Sequence, residues 1–323
     1  MSADNVLQFI GNRPPFIPLL FRLAASLEQA TLQAVTADAS LLTRCLRNAQ
    51  QLFGYDAILL HLDCTLEAEA CGVDIVWEDD EPVPRRAQNV AAQFMQADPQ
   101  AVLSAGRLPC VLEAGKRLGI EAQGAYKVLG AITGPLTLCE LLQGDDFLAS
   151  LAAEEDAALD LLDAAVRLAN KLIDAYCAAG VDGIALVESP RGRVAAPAIE
   201  CFCDATGSLW NITRHYDRCG LLFWLSALPE NAGALCSLPA HGIHLSGAAN
   251  QPELREANMA GGAAWGIDIP FDLIGESEDA PPSPLPQAQD VHPCFLTTAS
   301  EIPRSFPPER LHDLMGRLDG AAG

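Results

Sequence analysis

Positive charge is scarce in this 323-residue sequence. Lysine and arginine together number 20, against 42 aspartate and glutamate residues, which gives a formal net charge of −22. Nucleic acids and anionic membranes are bound through cationic surfaces. The composition therefore argues against a protein that binds nucleic acid or membrane. It also makes a polyanionic ligand costly to hold, unless a few arginines are concentrated in one cleft.

Membrane and secretion signals are lacking as well. No uncharged apolar stretch reaches the roughly 18 residues that a membrane-spanning helix needs. The first 30 residues contain both acidic and basic side chains and lack the basic start and apolar run of a signal peptide. The 11 cysteines have no regular spacing, which is typical of reduced thiols. We expect a cytoplasmic protein.

Several motifs of known chemistry are also missing. There is no glycine-rich dinucleotide fingerprint and no phosphate-binding loop. The pair Cys201 and Cys203 with His215 is too weak a pattern to predict a zinc site. No serine at the end of an apolar run has a clearly placed histidine base, so the sequence predicts no activated serine nucleophile.

What the sequence does contain is a repeated alternation of short apolar runs with longer helical patterns. Nearly continuous hydrophobicity over such runs is typical of strands buried on both faces of a parallel sheet. Eight runs, each followed by helix or loop, favour one α/β domain, a (β/α)8 TIM barrel over residues 1–323. The runs are Phe16–Leu20, Ala57–Leu62, Val128–Ile132, Val181–Val187, Leu221–Ser226, Gly242–Ser246, Ala263–Ile269 and Cys294–Thr298.

Three connections have their own signatures. Leu136–Ala178 has a helical pattern. The acidic, proline-terminated segment Glu78–Pro84 predicts a surface loop. Residues 276–290 hold four prolines without periodicity and predict an extended connection that replaces part of one barrel helix.

Polar residues at the predicted strand ends are the candidates for function, because barrel enzymes place their chemistry there. Asp63 is a candidate general acid or base, or else a cap for the helical segment after it. Glu188, in apolar surroundings, suits a proton shuttle unless it pairs with Arg191 or Arg193. His244 lies inside the sixth run, as a hydrogen-bonded core residue does. The other candidates are Ser189, Trp224, Ser226, Asp268, Ser300 and Glu301, which together can orient a polar ligand and stack a flat one.

Four segments carry a family resemblance. They are Asp63-Cys-Thr-Leu-Glu-Ala-Glu-Ala-Cys-Gly72, Ile132-Thr-Gly-Pro-Leu-Thr-Leu138, Ala179-Gly-Val-Asp-Gly-Ile184 and Ser300-Glu-Ile-Pro-Arg-Ser-Phe-Pro-Pro-Glu-Arg-Leu311. In order and spacing the sequence resembles the uroporphyrinogen decarboxylase superfamily, which also contains corrinoid-dependent methyltransferases. The resemblance runs over roughly residues 14–317 and implies a (β/α)8 barrel, in agreement with the count of apolar runs.

The resemblance also bears on metal binding. The zinc-dependent methyltransferases of the superfamily carry His-x-Cys-Gly at the fifth strand and a Cys before Glu-Ile-Pro at the eighth. Trp224, Ser226 and Ser300 stand at those three positions. The sixth run offers a histidine, His244, but neither cysteine. The resemblance therefore implies a site without zinc, suited to substrates other than thiols, such as methoxyl or pterin compounds.

A decarboxylase similarity is carried by other residues. Arg22 stands where the decarboxylase Arg-Gln-Ala-Gly-Arg-Tyr motif begins, Asp63 at its catalytic aspartate and Ser189 at its substrate-contacting serine. The second arginine of that motif is Ser26 here. This departure removes half of the cationic pair that a porphyrinogen with eight carboxylates requires.

We therefore expect corrinoid-linked methyl transfer, with the corrinoid (cobalamin) presented by a partner corrinoid protein. A small-molecule methyl donor or acceptor is expected at the strand ends, with no metal. The expected catalytic residues are Asp63, Glu188 and Glu301, and the expected substrate-binding residues are Arg22, Ser189, Trp224, Ser226, Asp268 and Ser300. Two alternatives stay open: a tetrapyrrole decarboxylase in which Asp63 stabilises a protonated pyrrole, and a non-catalytic barrel that binds a tetrapyrrole or corrinoid.

Overall fold

The protein folds around a curled sheet of parallel strands. A computed structural model describes residues 6–8, 13–85, 87, 89–248, 251–269 and 293–320. The strands in this part of the chain are β1 (Ala57–Leu59), β2 (Asp74–Glu78), β3 (Glu81–Arg85), β4 (Lys127–Thr133), β5 (Gly183–Glu188), β6 (Cys219–Trp224), β7 (Gly242–Leu245), β8 (Ala264–Ile269) and β9 (Cys294–Thr298). Seven of them form the sheet in the order β1-β4-β5-β6-β7-β8-β9, and β2 pairs only with β3.

Helices cover the outer face of this sheet. Those in the described residues are α1 (Phe21–Leu27), α2 (Leu32–Ala37), α3 (Ala39–Phe53), α4 (Thr65–Ala70), α5 (Val90–Gln96), α6 (Pro99–Val102), α7 (Leu108–Ala122), α8 (Pro135–Gln143), α9 (Phe147–Ala152), α10 (Asp156–Ala179), α11 (Ala196–His215), α12 (Ala232–Leu235), α13 (Pro252–Gly261) and α14 (Pro308–Gly320). The pattern predicted over Leu136–Ala178 is divided among α8, α9 and α10, because Gly144 takes a φ of 116° and ends α8. No helix in the described ranges is long and apolar enough to cross a membrane.

Side chains alternate between the two faces of the sheet, as the strand period of two requires. In β6, Phe223 packs on the inner face, with its ring centroid 5.9 Å from that of Phe295 in β9. Its neighbour Trp224 packs in the outer layer against Phe202 of α11, with centroids 6.4 Å apart. Strands β5 to β9 are buried along their whole length, which confirms the sequence prediction of a parallel sheet covered on both faces.

The first predicted strand, Phe16–Leu20, is not a regular strand. It forms one parallel bridge, between Phe16 and Leu296 of β9. On its other side, the Phe16 carbonyl accepts a hydrogen bond from the backbone N–H of Asp56, beside β1, at 3.1 Å. This run contains Pro18 and follows directly on Pro14 and Pro15, and prolines have no N–H to extend the ladder. In the described residues the parallel sheet therefore has seven strands, with this bridge in the place of the predicted eighth.

The prediction of a loop at Glu78–Pro84 is wrong, because this segment belongs to an antiparallel hairpin of β2 and β3. The turn residues Asp79 and Asp80 have φ values of 51° and 65°. A tight hairpin turn requires such left-handed residues, and aspartate tolerates them. The predicted connection over residues 276–290 lies outside the described residues.

Candidate functional site

A small cleft lies beside the carboxyl end of β1. Its volume is about 180 Å³. The lining comes from the segment after β1, from α1, α2, the β2–β3 hairpin and the segment after β9, namely Phe21, Arg22, Leu32, Leu62, Asp63, Cys64, Thr65, Glu81, Pro82 and Glu301. Three residues that the sequence analysis selected, Arg22, Asp63 and Glu301, are therefore brought together from distant parts of the chain.

Asp63 both caps a helix and faces the cleft. Its Oδ1 accepts hydrogen bonds from the Thr65 backbone N–H at 2.8 Å and from the Thr65 hydroxyl at 2.6 Å, at the start of α4. Its Oδ2 accepts a bond from Nη1 of Arg107 at 2.6 Å. The two interpretations left open by the sequence, helix cap and functional carboxylate, are thus compatible at this residue.

Arg107, just before α7, was not found by the sequence analysis. Its side chain is only 9% exposed and its guanidinium also donates to Glu69 at 2.6 Å and to the hydroxyls of Thr36 and Thr65 at 2.9 and 3.0 Å. The ring of Trp77 in β2 lies 5.1 Å from its guanidinium carbon. An isolated arginine ahead of an apolar helix gives no sequence signal for this role.

Arg22 and Glu301 also line the cleft and are bonded to each other. Glu301 accepts two hydrogen bonds from Arg22, from its backbone N–H at 2.8 Å and from Nε at 2.9 Å. Nη1 of Arg22 is paired with Glu81 of the hairpin. Burial raises the pKa of Glu301 above its usual range, and the adjacent Arg22 opposes this rise. Two of the side-chain nitrogens of Arg22 are therefore already occupied by carboxylates.

The hairpin tip is held against the cleft by a second set of contacts. Asp80 accepts the backbone N–H of Leu32 at 2.9 Å, at the start of α2, and is paired with Arg304 from the segment after β9. Arg304 also donates to the carbonyl of Ala30 at 2.9 Å. Glu81 and Pro82 consequently form a fixed wall of the cleft.

Cys64 also lines the cleft. Burial raises the pKa of its thiol far above the usual value, and the nearby carboxylates of Glu67 and Asp63 raise it further. The thiol is therefore neutral near pH 7 and is a weak nucleophile.

Glu188 lies in different surroundings. Its fully buried carboxylate accepts bonds from the backbone N–H groups of Leu136 and Thr137 at 3.0 and 2.9 Å and from the Thr137 hydroxyl at 2.6 Å. It thereby binds the N-terminus of α8. Gly134 is required beside it, because a Cβ at that position would overlap the Glu188 carboxylate. Burial raises the pKa of Glu188 to about 7, although these hydrogen bonds act in the opposite direction.

The salt bridge that the sequence offered as an alternative for Glu188 is replaced by these contacts with α8. Arg193 is paired with Glu230 at 2.7 Å, and the backbone N–H of Arg191 donates to Glu140 at 2.7 Å. Ser189 follows Glu188, is partly buried, and donates its backbone N–H to the Thr137 hydroxyl at 2.7 Å.

Trp224, Ser226 and Ser300 are not among the residues that line the cleft. Trp224 is fully buried in the helix layer and its indole N–H donates to the Ala227 carbonyl at 3.0 Å. The inward positions on this strand are Phe223 and, just beyond it, Leu225. Ser226 is partly buried beside Ala227, and Ser300 is exposed next to Glu301.

Asp268 lies on the inner face of the curled sheet, in β8. Its Oδ1 is 2.5 Å from Nε2 of His244, and its Oδ2 accepts the backbone N–H of Gly247 at 3.0 Å. Gly266 leaves space for this pair, since a Cβ there would lie 2.6 Å from the Cβ of His244. His244 is therefore the hydrogen-bonded core residue that the sequence predicts. In the part of the chain that the structure describes, no three His, Cys, Asp or Glu residues are grouped as metal ligands.

Residues 11–205 match the sequence family Uroporphyrinogen decarboxylase (URO-D). The chain belongs to this family. Two curated relatives are the methylcobamide:CoM methyltransferases MtbA of Methanosarcina mazei and Methanosarcina acetivorans, each 26% identical to it over 154 residues. That alignment covers 47% of this URO-D family chain and 45% of either relative, so it spans less than half of their length.

Solved structures agree on the fold. A methyltransferase from Methanosarcina mazei superposes with a TM-score of 0.75 at 17% identity, covering 96% of this chain and 94% of that one. A putative vitamin-B12-independent methionine synthase from Listeria monocytogenes gives a TM-score of 0.53 at 11% identity, with 98% of each chain covered. At such identities the likeness concerns the fold of this URO-D family chain alone.

Proposed function

We propose that this URO-D family chain is a methyltransferase whose small-molecule substrate binds in the cleft between Asp63 and Glu301 and whose methyl group passes to or from a corrinoid. The observation that carries the proposal is the convergence of Arg22, Asp63 and Glu301 in a single cleft. The partial match to two relatives named as methylcobamide:CoM methyltransferases supports the choice of methyl transfer.

The size of the cleft supports a division of the reaction between two components. Ligand pockets for drug-sized molecules measure about 300–1,000 Å³. A cleft of about 180 Å³ suits a smaller donor or acceptor and is too small to enclose a corrinoid ring. The corrinoid is therefore proposed as a substrate carried by a partner corrinoid protein and presented at the carboxyl ends of the strands.

The carboxylates of the cleft are proposed to handle protons. Asp63 is held rigidly by Thr65 and Arg107, so that it can receive a proton from an acceptor or keep a leaving group hydrogen-bonded. Glu301, whose pKa is raised by burial, is proposed as a proton donor. Glu188 supports α8 and, through Thr137 and Ser189, the segment after β5.

Zinc does not fit the residues at the positions that the family resemblance implies. The inward side chains at the end of β6 are Phe223 and Leu225, and Ser300 stands at the third position, after β9. None of these is the histidine or cysteine that such a zinc site requires. His244, the histidine of the sixth apolar run, is hydrogen-bonded to Asp268 through Nε2. No step of the proposed reaction therefore uses a metal-bound thiol.

The same proposal includes the domain organisation and the cellular location of the protein. We take residues 1–323 as one barrel domain in which the segment around Phe16 closes the gap between β9 and β1. A cytoplasmic setting, expected from the sequence, is part of the same proposal.

An anaerobic visible-spectrum titration of the purified protein against methylcobalamin and cob(I)alamin tests the proposal. We expect a saturable spectral shift, followed by turnover once a methyl donor or acceptor is added. The matched variants are Asp63→Asn, in the cleft, and Asp98→Asn, which caps α6 away from it. Unchanged spectra, also with a corrinoid carrier protein present, would overturn the proposal.

The second candidate is decarboxylation of a tetrapyrrole, which the family match and the position of Asp63 favour. Against it, Arg22 is already paired with Glu81 and Glu301, and the cleft is small for a substrate with eight carboxylates. Product formation from uroporphyrinogen without any cofactor, lost in Asp63→Asn, would favour it over methyl transfer. Binding spectra without turnover in either assay would instead indicate a non-catalytic binding protein.

A further inference from the structure

We infer that the substrate of the cleft is a small organic cation of the alkylammonium class. This inference rests on the proposed function only for the place where the substrate binds. Three observations support it: the charges of the cleft, its apolar surfaces, and the pairing of the nearby arginines with carboxylates of the protein.

The charges around the cleft are unbalanced. Of its ten lining residues, Asp63, Glu81 and Glu301 carry carboxylates, and Arg22 alone is basic. Nε of Arg22 donates to Glu301 at 2.9 Å and its Nη1 is paired with Glu81, so its charge is matched by carboxylates of the cleft. The three lining carboxylates therefore carry two more negative charges than Arg22 can balance.

A second arginine near the cleft, Arg107, does not remove this excess of negative charge. Arg107 lies behind Asp63, with Nε on Glu69, Nη1 on Asp63 and Thr36, and Nη2 on Thr65. All three of its nitrogens are occupied. When Glu69 is included, four carboxylates face two guanidinium groups, which leaves two net negative charges beside the cleft. An anionic ligand would be repelled there and a cation attracted.

The remaining wall is apolar. Phe21, Leu32, Leu62 and Pro82 line the cleft together with the carboxylates. Alkyl groups on nitrogen bury favourably against such a surface while the charge stays beside the carboxylates. A volume of about 180 Å³ limits the cation to a few heavy atoms. A methylated ammonium ion combines these three properties.

Ionisation of Glu301 should make cation binding depend on pH. Burial raises the pKa of its carboxyl group. The groups that face it are Arg22, Glu81, Asp63 and the Cys64 thiol. A bound cation stabilises the ionised form, so cation binding should tighten as pH rises through the titration of Glu301 and should then level off.

The test compares three probes of similar size by isothermal titration calorimetry: tetramethylammonium, neutral tert-butanol and anionic methanesulfonate. All titrations are run in about 150 mM NaCl, so that the overall negative charge of the protein is screened. We expect saturable binding of tetramethylammonium, about tenfold tighter than tert-butanol, and no binding of methanesulfonate.

Variants connect that binding to the cleft. Glu81→Gln and Glu301→Gln should each weaken tetramethylammonium binding by about tenfold, the loss expected for one nearby charge. Glu78→Gln is the control, because Glu78 belongs to the same hairpin but is paired with exposed Arg85. Glu81 is half-exposed, so its variant keeps the test valid if Glu301→Gln fails to fold.

Three results would overturn the inference: equal binding of tert-butanol, preference for methanesulfonate, or cation binding that neither Glu81→Gln nor Glu301→Gln alters. The cobalamin titration is independent of these measurements. Cation binding with an unchanged cobalamin spectrum would refute corrinoid-linked transfer and leave the cation site standing, and the opposite pair of results would refute only the cation site.

Discussion

Arg107 donates a 2.6 Å hydrogen bond to Asp63 from behind the cleft, where neither side chain is more than 9% exposed. Removing one partner of such a pair leaves a buried charge uncompensated. Arg107→Met should therefore reduce the free energy of unfolding by about 3–5 kcal/mol, as measured by urea denaturation. The control is Arg117→Met on α7, whose pair with Glu113 is exposed, so that its loss should cost less than about 1 kcal/mol. Equal effects of the two variants would contradict this assignment.

Asp63→Asn should lower the rate of methyl transfer by about 100- to 10,000-fold, the usual contribution of a general acid or base. The amide oxygen of asparagine can still accept the Thr65 N–H, so α4 keeps its cap. Rates are compared with those of Asp98→Asn, which removes the charge of another capping aspartate outside the cleft. A rate within a factor of two of the unmodified protein would exclude Asp63 from proton transfer.

Glu188 should make stability depend on pH. Its folded-state pKa of about 7 lies above the ordinary value of 4.5, so the folded protein binds more protons than the unfolded chain between these values. The stabilising contribution is therefore complete below pH 4.5 and is lost as the pH rises to about 7, by roughly 3 kcal/mol in total.

Urea unfolding of the unmodified protein and of Glu188→Gln at several pH values measures this effect. The difference between the two free energies of unfolding isolates Glu188 from other groups, Glu301 included. We expect the unmodified protein to lose stability relative to the variant between pH 5 and 7. A difference that is constant over this interval would show that the Glu188 pKa is not raised.

Gly134→Ala should destabilise the protein by about 1–3 kcal/mol, since the added Cβ would overlap the Glu188 carboxylate and displace it from α8. Gly207→Ala in α11 is the matched substitution, because a Cβ there meets no atom within 4 Å. It should instead stabilise the helix by about 0.5–1 kcal/mol. Thermal unfolding of both variants gives the comparison, and equal changes would argue against crowding at Gly134.

The sheet could be predicted because buried parallel strands have nearly continuous apolar sequences, as β5 and β6 do. Asp63 and Glu301 were accessible to the same reasoning, since they follow apolar runs whose ends converge, whereas Arg22 was selected through the family resemblance. The positions of Trp224 and Glu188 were harder to predict. Each follows an inward-facing residue at the end of its strand. Because successive side chains of a strand point to opposite faces of the sheet, Trp224 and Glu188 point toward the helices.

Arg107 and the hairpin could not be predicted for a different reason. Arg107 is fixed by carboxylates 38 and 44 residues earlier in the chain, and no local pattern records such pairing. The hairpin strand β3 contains Pro82 and Pro84, which weaken its strand signal, although an edge strand tolerates them.

The tip of the hairpin is held by a residue that follows it at a long distance in the chain. Asp80 and Arg304 are 224 positions apart, and Arg22 and Glu301 are separated by 279. Closing contacts of such separation is slow and comes after local structure has formed. During translation the helices and strands up to β8 can therefore assemble while the binding cleft still lacks one wall. A ribosome-bound nascent chain would acquire ligand affinity only when the segment after β9 has emerged.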